Sequence, residues 1–84
     1  MADFTAIYST KAIKNIHYSF KAESFAKALE FCKWKFSVEI TNLICETPTR
    51  IQQFIKVDGK WFHRPFVSCS DEYIIVDINN VTLF

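Results

Sequence analysis

Eighty-four residues, 50% hydrophobic and 17% aromatic with a net charge of +1, describe one small domain that relies on large rings for its core. The near-neutral balance disfavours a dedicated duplex-DNA binder with its strongly basic face, nine acidic residues against ten basic ones cannot supply the acidic field of a DNA mimic, and local charged patches stay open. A single glycine excludes Gly-rich phosphate loops and flexible linkers and leaves most turns to Asn, Asp and Pro.

In chain order, FTAIYST (4–10) predicts a first strand, interrupted by the polar KAIKN (11–15). IHYSFKA (16–22) alternates, with Ile16, Tyr18, Phe20 and Ala22 on one side and His17, Ser19 and Lys21 on the other. The two strands predict a hairpin. ESFAKALEFCKWKF (23–36) predicts the one helix, N-capped by Ser24. Phe25, Ala28, Leu29, Cys32 and Phe36 form its packed face, which leaves Trp34 pointing away and Phe31 on the flank.

SVEITNLICE (37–46) predicts a third strand whose alternation slips at Asn42, so a bulge is expected near Thr41–Asn42. After the Thr47-Pro48-Thr49-Arg50 connection, IQQFIKV-DG-KWFHRPF (51–66) predicts a hairpin turning at Asp58-Gly59. That turn sets the pairs Lys56–Trp61, Ile55–Phe62, Phe54–His63 and Gln53–Arg64, with Pro65 at a strand end or edge. SCSD (68–71) reads as a loop. EYIIVDI (72–78), apolar on both parities, predicts a strand covered on both faces or centrally placed; Asn79-Asn80 turns the chain before VTLF. The expected fold is a single α+β domain over 1–84, one helix packed on a mostly antiparallel sheet, in the order β-β-α-β-β-β-β.

No enzyme is expected from the spacing of the chemistry-bearing residues. Cys32, Cys45 and Cys69 are odd in number and widely spaced, and with His17 and His63 they show neither C-x2-C nor H-x3-H spacing. No disulfide framework, metal or other cofactor is expected. Cys69 with a histidine base is opposed by the neighbouring Asp71 and Glu72, which disfavour a thiolate. MADFTAIYSTK lacks the basic and apolar regions of a signal peptide, and no apolar run reaches membrane-spanning length, so a cytoplasmic location without membrane contact is expected.

Binding is the expected class of function. Trp34 with Lys27 and Phe31 forms one aromatic-basic cluster, and Phe54, Lys56, Trp61 and His63 form another on the second hairpin. Large rigid rings dominate protein interfaces because they bury much area at little entropic cost. Two other arrangements stand open: Trp34 covered by the N-terminal loop or by residues 65–71, and Trp61 merely stacked on Lys56. A sheet face carrying Phe54, Trp61, His63, His17 and Lys21 is the basis of the alternative function, stacking of single-stranded nucleic acid. Self-association through an exposed ring patch is a third route.

The run FKAESFAKALEFC, a strand feeding a helix through Ala-Glu-Ser, followed by KVDGKWF, is similar in layout to single-helix anti-CRISPR proteins. The similarity covers residues 4–64, and EYIIVDINNVTLF extends beyond it. It implies a phage-encoded, non-catalytic inhibitor that binds a subunit of a host CRISPR effector and obstructs its engagement with target DNA. It assigns no functional residue.

Overall fold

The computed structural model describes residues 1–65, 74–78 and 81, and these form an α+β domain of one helix on an antiparallel sheet. The elements are β1 (Ala2–Tyr8), β2 (Ile16–Ala22), α1 (Phe25–Lys35), β3 (Asn42–Glu46), β4 (Ile51–Val57), β5 (Lys60–Pro65) and β6 (Ile74–Ile75). The strands lie side by side in the order β2-β1-β3-β4-β5-β6, each antiparallel to its neighbour. β2 and β3 therefore run parallel with β1 between them. Such a pair cannot be joined by a hairpin, and α1 supplies the crossover.

Local chemistry accounts for the turns. The connection 9–15 is organised by Thr10, whose Oγ1 accepts from the amides of Ala12 (3.3 Å) and Ile13 (3.1 Å), and by Asn15 at φ 56°. Asp58 and Gly59, at φ 51° and 77°, give the doubly left-handed turn that matches strand twist in two-residue hairpins. The register expected from that turn is the register observed, including Lys56 with Trp61 and Phe54 with His63. Thr47 closes the β3–β4 turn: its amide donates to the Arg50 carbonyl at 2.9 Å, and its Oγ1 accepts from the Arg50 amide at 3.3 Å.

α1 begins where Ser24 Oγ accepts from the Lys27 amide (3.2 Å), and Lys33 and Lys35 complement the helix dipole in its last turn. Phe25, Ala28 and Cys32 are buried against the sheet, with Leu29 and Phe36 packed beside them. The core they close is built on Phe4, Leu43, Cys45 and Phe54, all fully buried. Phe25 is its keystone: the ring stacks on Phe54 at 4.5 Å and meets Trp61 edge-on at 5.4 Å.

Three expectations about strands need correction. The third strand spans Asn42–Glu46, not 37–46, and its ladder contains no bulge. Ile40 and Leu43 both point into the core, and the extra residue between them is absorbed before the ladder begins. The segment 36–41 instead closes one end of the core with Phe36, Val38 and Ile40. Among the described residues the last strand is β6, Ile74–Ile75, which lies at the sheet edge with Ile75 65% exposed and is not centrally placed. The expected loop 68–71 and the closing VTLF beyond Val81 lie outside the described residues.

Among the described residues the second face of the sheet has no covering element. It carries Ile7, His17, Ile44, Ile55, Phe62 and Ile75 interspersed with polar pairs such as Thr5–Ser19 (3.1 Å) and Asn42–Gln53 (3.2 Å). No helix among them is long and apolar enough to cross a membrane.

Candidate protein-binding surface

The helix cluster is assembled as the sequence implies. Lys27, Phe31 and Trp34 stand at i, i+4 and i+7 and so share a flank of α1. Phe31 lies over β2, its ring stacked 4.2 Å from Phe20 and 6.3 Å from Tyr18. Phe20 in turn stacks on the buried Phe4 at 5.7 Å, and Phe31 meets Trp34 at 6.0 Å. A ladder of rings thus runs from the core, through edge strand β2, to an indole that is 79% exposed. Fixing the inner rungs limits the conformational entropy that Phe31 would lose on binding, a cost that otherwise opposes affinity.

Basic groups border the ladder. Lys35 Nζ lies 5.5 Å from the centre of the Tyr18 ring, a cation–π contact. Lys27 pairs with Glu30 at 3.5 Å, but both side chains are mostly exposed, and such a pair constrains little. Tyr18, Phe20 and Lys35 belong to this surface although the sequence reading did not place them there. The signal available was the aromatic size of the alternate residues Tyr18 and Phe20 on the strand just before the helix.

The hairpin cluster is not a surface, and this overturns its expected role. Phe54 is fully buried and Trp61 is 6% exposed, because α1 lies across this face of β4 and β5 and Phe25 wedges between the two rings. Lys56 is half-buried and extends past the core to bond Glu39 Oε1 at 2.8 Å, and that hydrogen bond, with the ammonium charge, holds the Glu39 carboxyl below its ordinary pKa. His63 stacks on Phe54 at 5.2 Å, and its buried Nε2 has no hydrogen-bond partner among the described residues. Burial first, and the Arg50 charge second, lower its pKa, so the neutral imidazole is the favoured form.

The expected nucleic-acid platform is likewise divided. Phe54, Trp61 and His63 face the helix, whereas His17 and Lys21 lie on the uncovered face with Ser19. No plane of the sheet presents all five.

On the far flank of α1 from the ring ladder, an open cleft of about 380 Å³ runs between the helix and the β4–β5 hairpin. Leu29, Cys32, Val38, Ile40 and Trp61 line it, with the Lys56–Glu39 pair at its border. Cys32 and Cys45 are both buried free thiols, and burial pushes each pKa up to about 11. A thiol in that condition is a poor nucleophile and a poor metal ligand at neutral pH. Among the described residues no three of His, Cys, Asp or Glu come together in a group that could hold a metal ion. Comparisons with protein-family models, with curated proteins and with solved structures find no match to this chain.

Proposed function

We propose that this protein is a non-catalytic interaction module whose contact surface is the Trp34–Phe31 end of the ring ladder. The observation that carries the reading is an indole 79% exposed at the end of rings anchored in the core. A large, rigid, desolvatable ring bordered by lysines suits the centre of a protein interface. The suppressed thiols and the placement of His17 and His63 on opposite sides of the sheet favour binding over catalysis. The partner class, a host defence protein blocked by steric occlusion, rests on the sequence's resemblance in element order to single-helix anti-CRISPR proteins.

Affinity capture from host lysate with the unaltered chain and with Trp34→Ala tests this reading, with nucleic acid assayed in the same eluates. Trp34→Ala should weaken capture of one protein by about thirtyfold, the equivalent of about 2 kcal/mol. Equal capture by both forms would remove the proposed surface. Retention of nucleic acid in place of protein, with affinity falling steeply in salt, would replace the reading with its nucleic-acid alternative.

A further inference from the structure

The ring ladder borders the outer edge of β2, and an edge strand exposes unpaired backbone groups. All seven residues of β2, Ile16–Ala22, pair with β1 in unbroken register, so every second residue directs its N–H and C=O away from the sheet. Nothing among the described residues pairs with that outer edge. Proteins usually blunt such edges by shortness, charged side chains (lysine above all), proline or a bulge, and of these β2 carries one lysine, Lys21. The opposite edge among the described residues, β6, spans two of them, but β2 is long, regular and without proline.

Charge identifies the occupant. Residues 11–35 hold six lysines against two glutamates, a surplus of four in a chain whose net charge is +1. Lys11 and Lys14 precede β2, Lys21 lies on it 3.8 Å from Asp3, and Lys27, paired with Glu30, and Lys35 lie on the adjoining helix, whereas Lys33 lies on its far flank at the cleft. The exposed pairs with Asp3 and Glu30 constrain these lysines little. Two copies pairing through β2 would bring these cationic segments together, which opposes self-association and favours an acidic guest. Nucleic acid would satisfy the lysines, but phosphate offers no donor for the edge carbonyls. An extended peptide supplies donors and acceptors at strand spacing.

We propose that β2 receives an extended, acid-rich segment of the protein partner as an additional strand, a β-augmentation. The proposal rests on the protein-binding reading above and specifies its mode. An added strand lies about 4.8 Å beyond β2. Apolar side chains on its helix-facing side then pack beside Phe31 and Trp34, and its acidic side chains meet the lysines.

The test is selection of a displayed library of random ten-residue peptides on the full chain, followed by amide exchange with the best synthetic peptide. Selected sequences should alternate apolar and acidic residues, and exchange of the outward amides of β2 should slow at least about tenfold, as backbone pairing does. N-methylating alternate peptide amides should weaken binding by about tenfold or more, and the double variant Lys21→Glu/Lys35→Glu should do likewise. Failure to enrich any peptide, absence of acidic bias, or equal binding of the methylated peptide overturns the proposal. So does a dimer in sedimentation whose β2 amides are already protected, or protection of the same amides by oligothymidylate. A partner that needs Trp34 yet leaves β2 exchange unchanged removes strand addition alone and leaves the protein-binding reading in place.

Discussion

Trp34 and Trp61 sit in similar local sequence, each directly after a lysine, yet one indole is 79% exposed and the other 6%. Trp34 is on the outer side of a helix whose opposite side carries Cys32 into the core. Trp61 is on a strand face that the same helix covers, where Phe25 meets it edge-on at 5.4 Å. Burial is decided by what lies across from a residue, and its neighbours in sequence carry little of that information. A ring rich enough to serve either as core or as contact has to be assigned by tertiary structure.

The largest expected effect separates the two tryptophans by stability. Trp61→Ala and Phe25→Ala should each cost about 3–5 kcal/mol, the range for ring-to-alanine changes in a packed core. Urea unfolding followed by circular dichroism measures both. A loss below about 1 kcal/mol for Trp61→Ala would place its indole outside the core and undo the contrast.

The helix side of the comparison is sharpened by Cys32, two residues before Trp34 and turned the opposite way. With pKa values pushed to about 11 by burial, Cys32 and Cys45 should resist thiol reagents in the folded protein. In a Cys69→Ser background, labelling at pH 8 should be at least about a hundredfold slower in buffer than in denaturing urea, following the lost thiolate and the lost access. Rapid modification of Cys32 in buffer would mean that the helix is rotated and that Trp34 shares the packed side.

How much of this was readable in the sequence follows from which signals are local. Ser24, Asp58-Gly59 and the alternation of 16–22 are local, and they specify the helix start, the second hairpin register and the inward side of β2. The helix face holding Phe25, Ala28 and Cys32 follows from 3.6-residue periodicity, and the exposure of Trp34 follows with it. The hairpin was harder because both of its faces are apolar enough to be core. Ile55, Val57 and Phe62 compete with Phe54 and Trp61, and Lys56 and His63 give the true inner face a polar appearance. Only the path of α1 resolves the tie, through the Phe25 contact and the reach of Lys56 to Glu39. The slip at Asn42 was visible, but its resolution before the ladder depends on Val38 and Ile40 closing the end of the core.

His63 offers a smaller, pH-dependent probe of that inner face. Its pKa is lowered in the folded chain, so the unfolded chain binds the proton more tightly. The neutral ring therefore contributes stability that is present above the ordinary histidine pKa of about 6.5 and is lost as pH falls through it. Stability should decline from pH 7.5 toward pH 5.5, and His63→Phe should flatten that decline over the same interval. Arg50 acts in the same direction, so Arg50→Gln should flatten it less. A flat wild-type profile would place the imidazole in solvent, and one that rises as pH falls would place it beside an acid.

The smallest expected effect is on the stability of Trp34→Ala, and its smallness is the point. The indole meets Phe31 at 6.0 Å and otherwise faces solvent, so its removal should change unfolding free energy by no more than about 0.5 kcal/mol. Fluorescence reads the same contrast independently. In the unaltered chain acrylamide should quench two populations, an accessible one from Trp34 and a protected one from Trp61. Trp34→Ala should abolish the accessible population and shift the remaining emission to the blue, whereas a conservative Trp61→Phe should leave only the accessible one. If Trp34→Ala instead destabilises the protein as much as Phe25→Ala does, the exposed ring is part of the core and the contact surface built on it disappears. If it is silent in stability while lowering partner affinity about thirtyfold, folding and binding are divided between the two tryptophans.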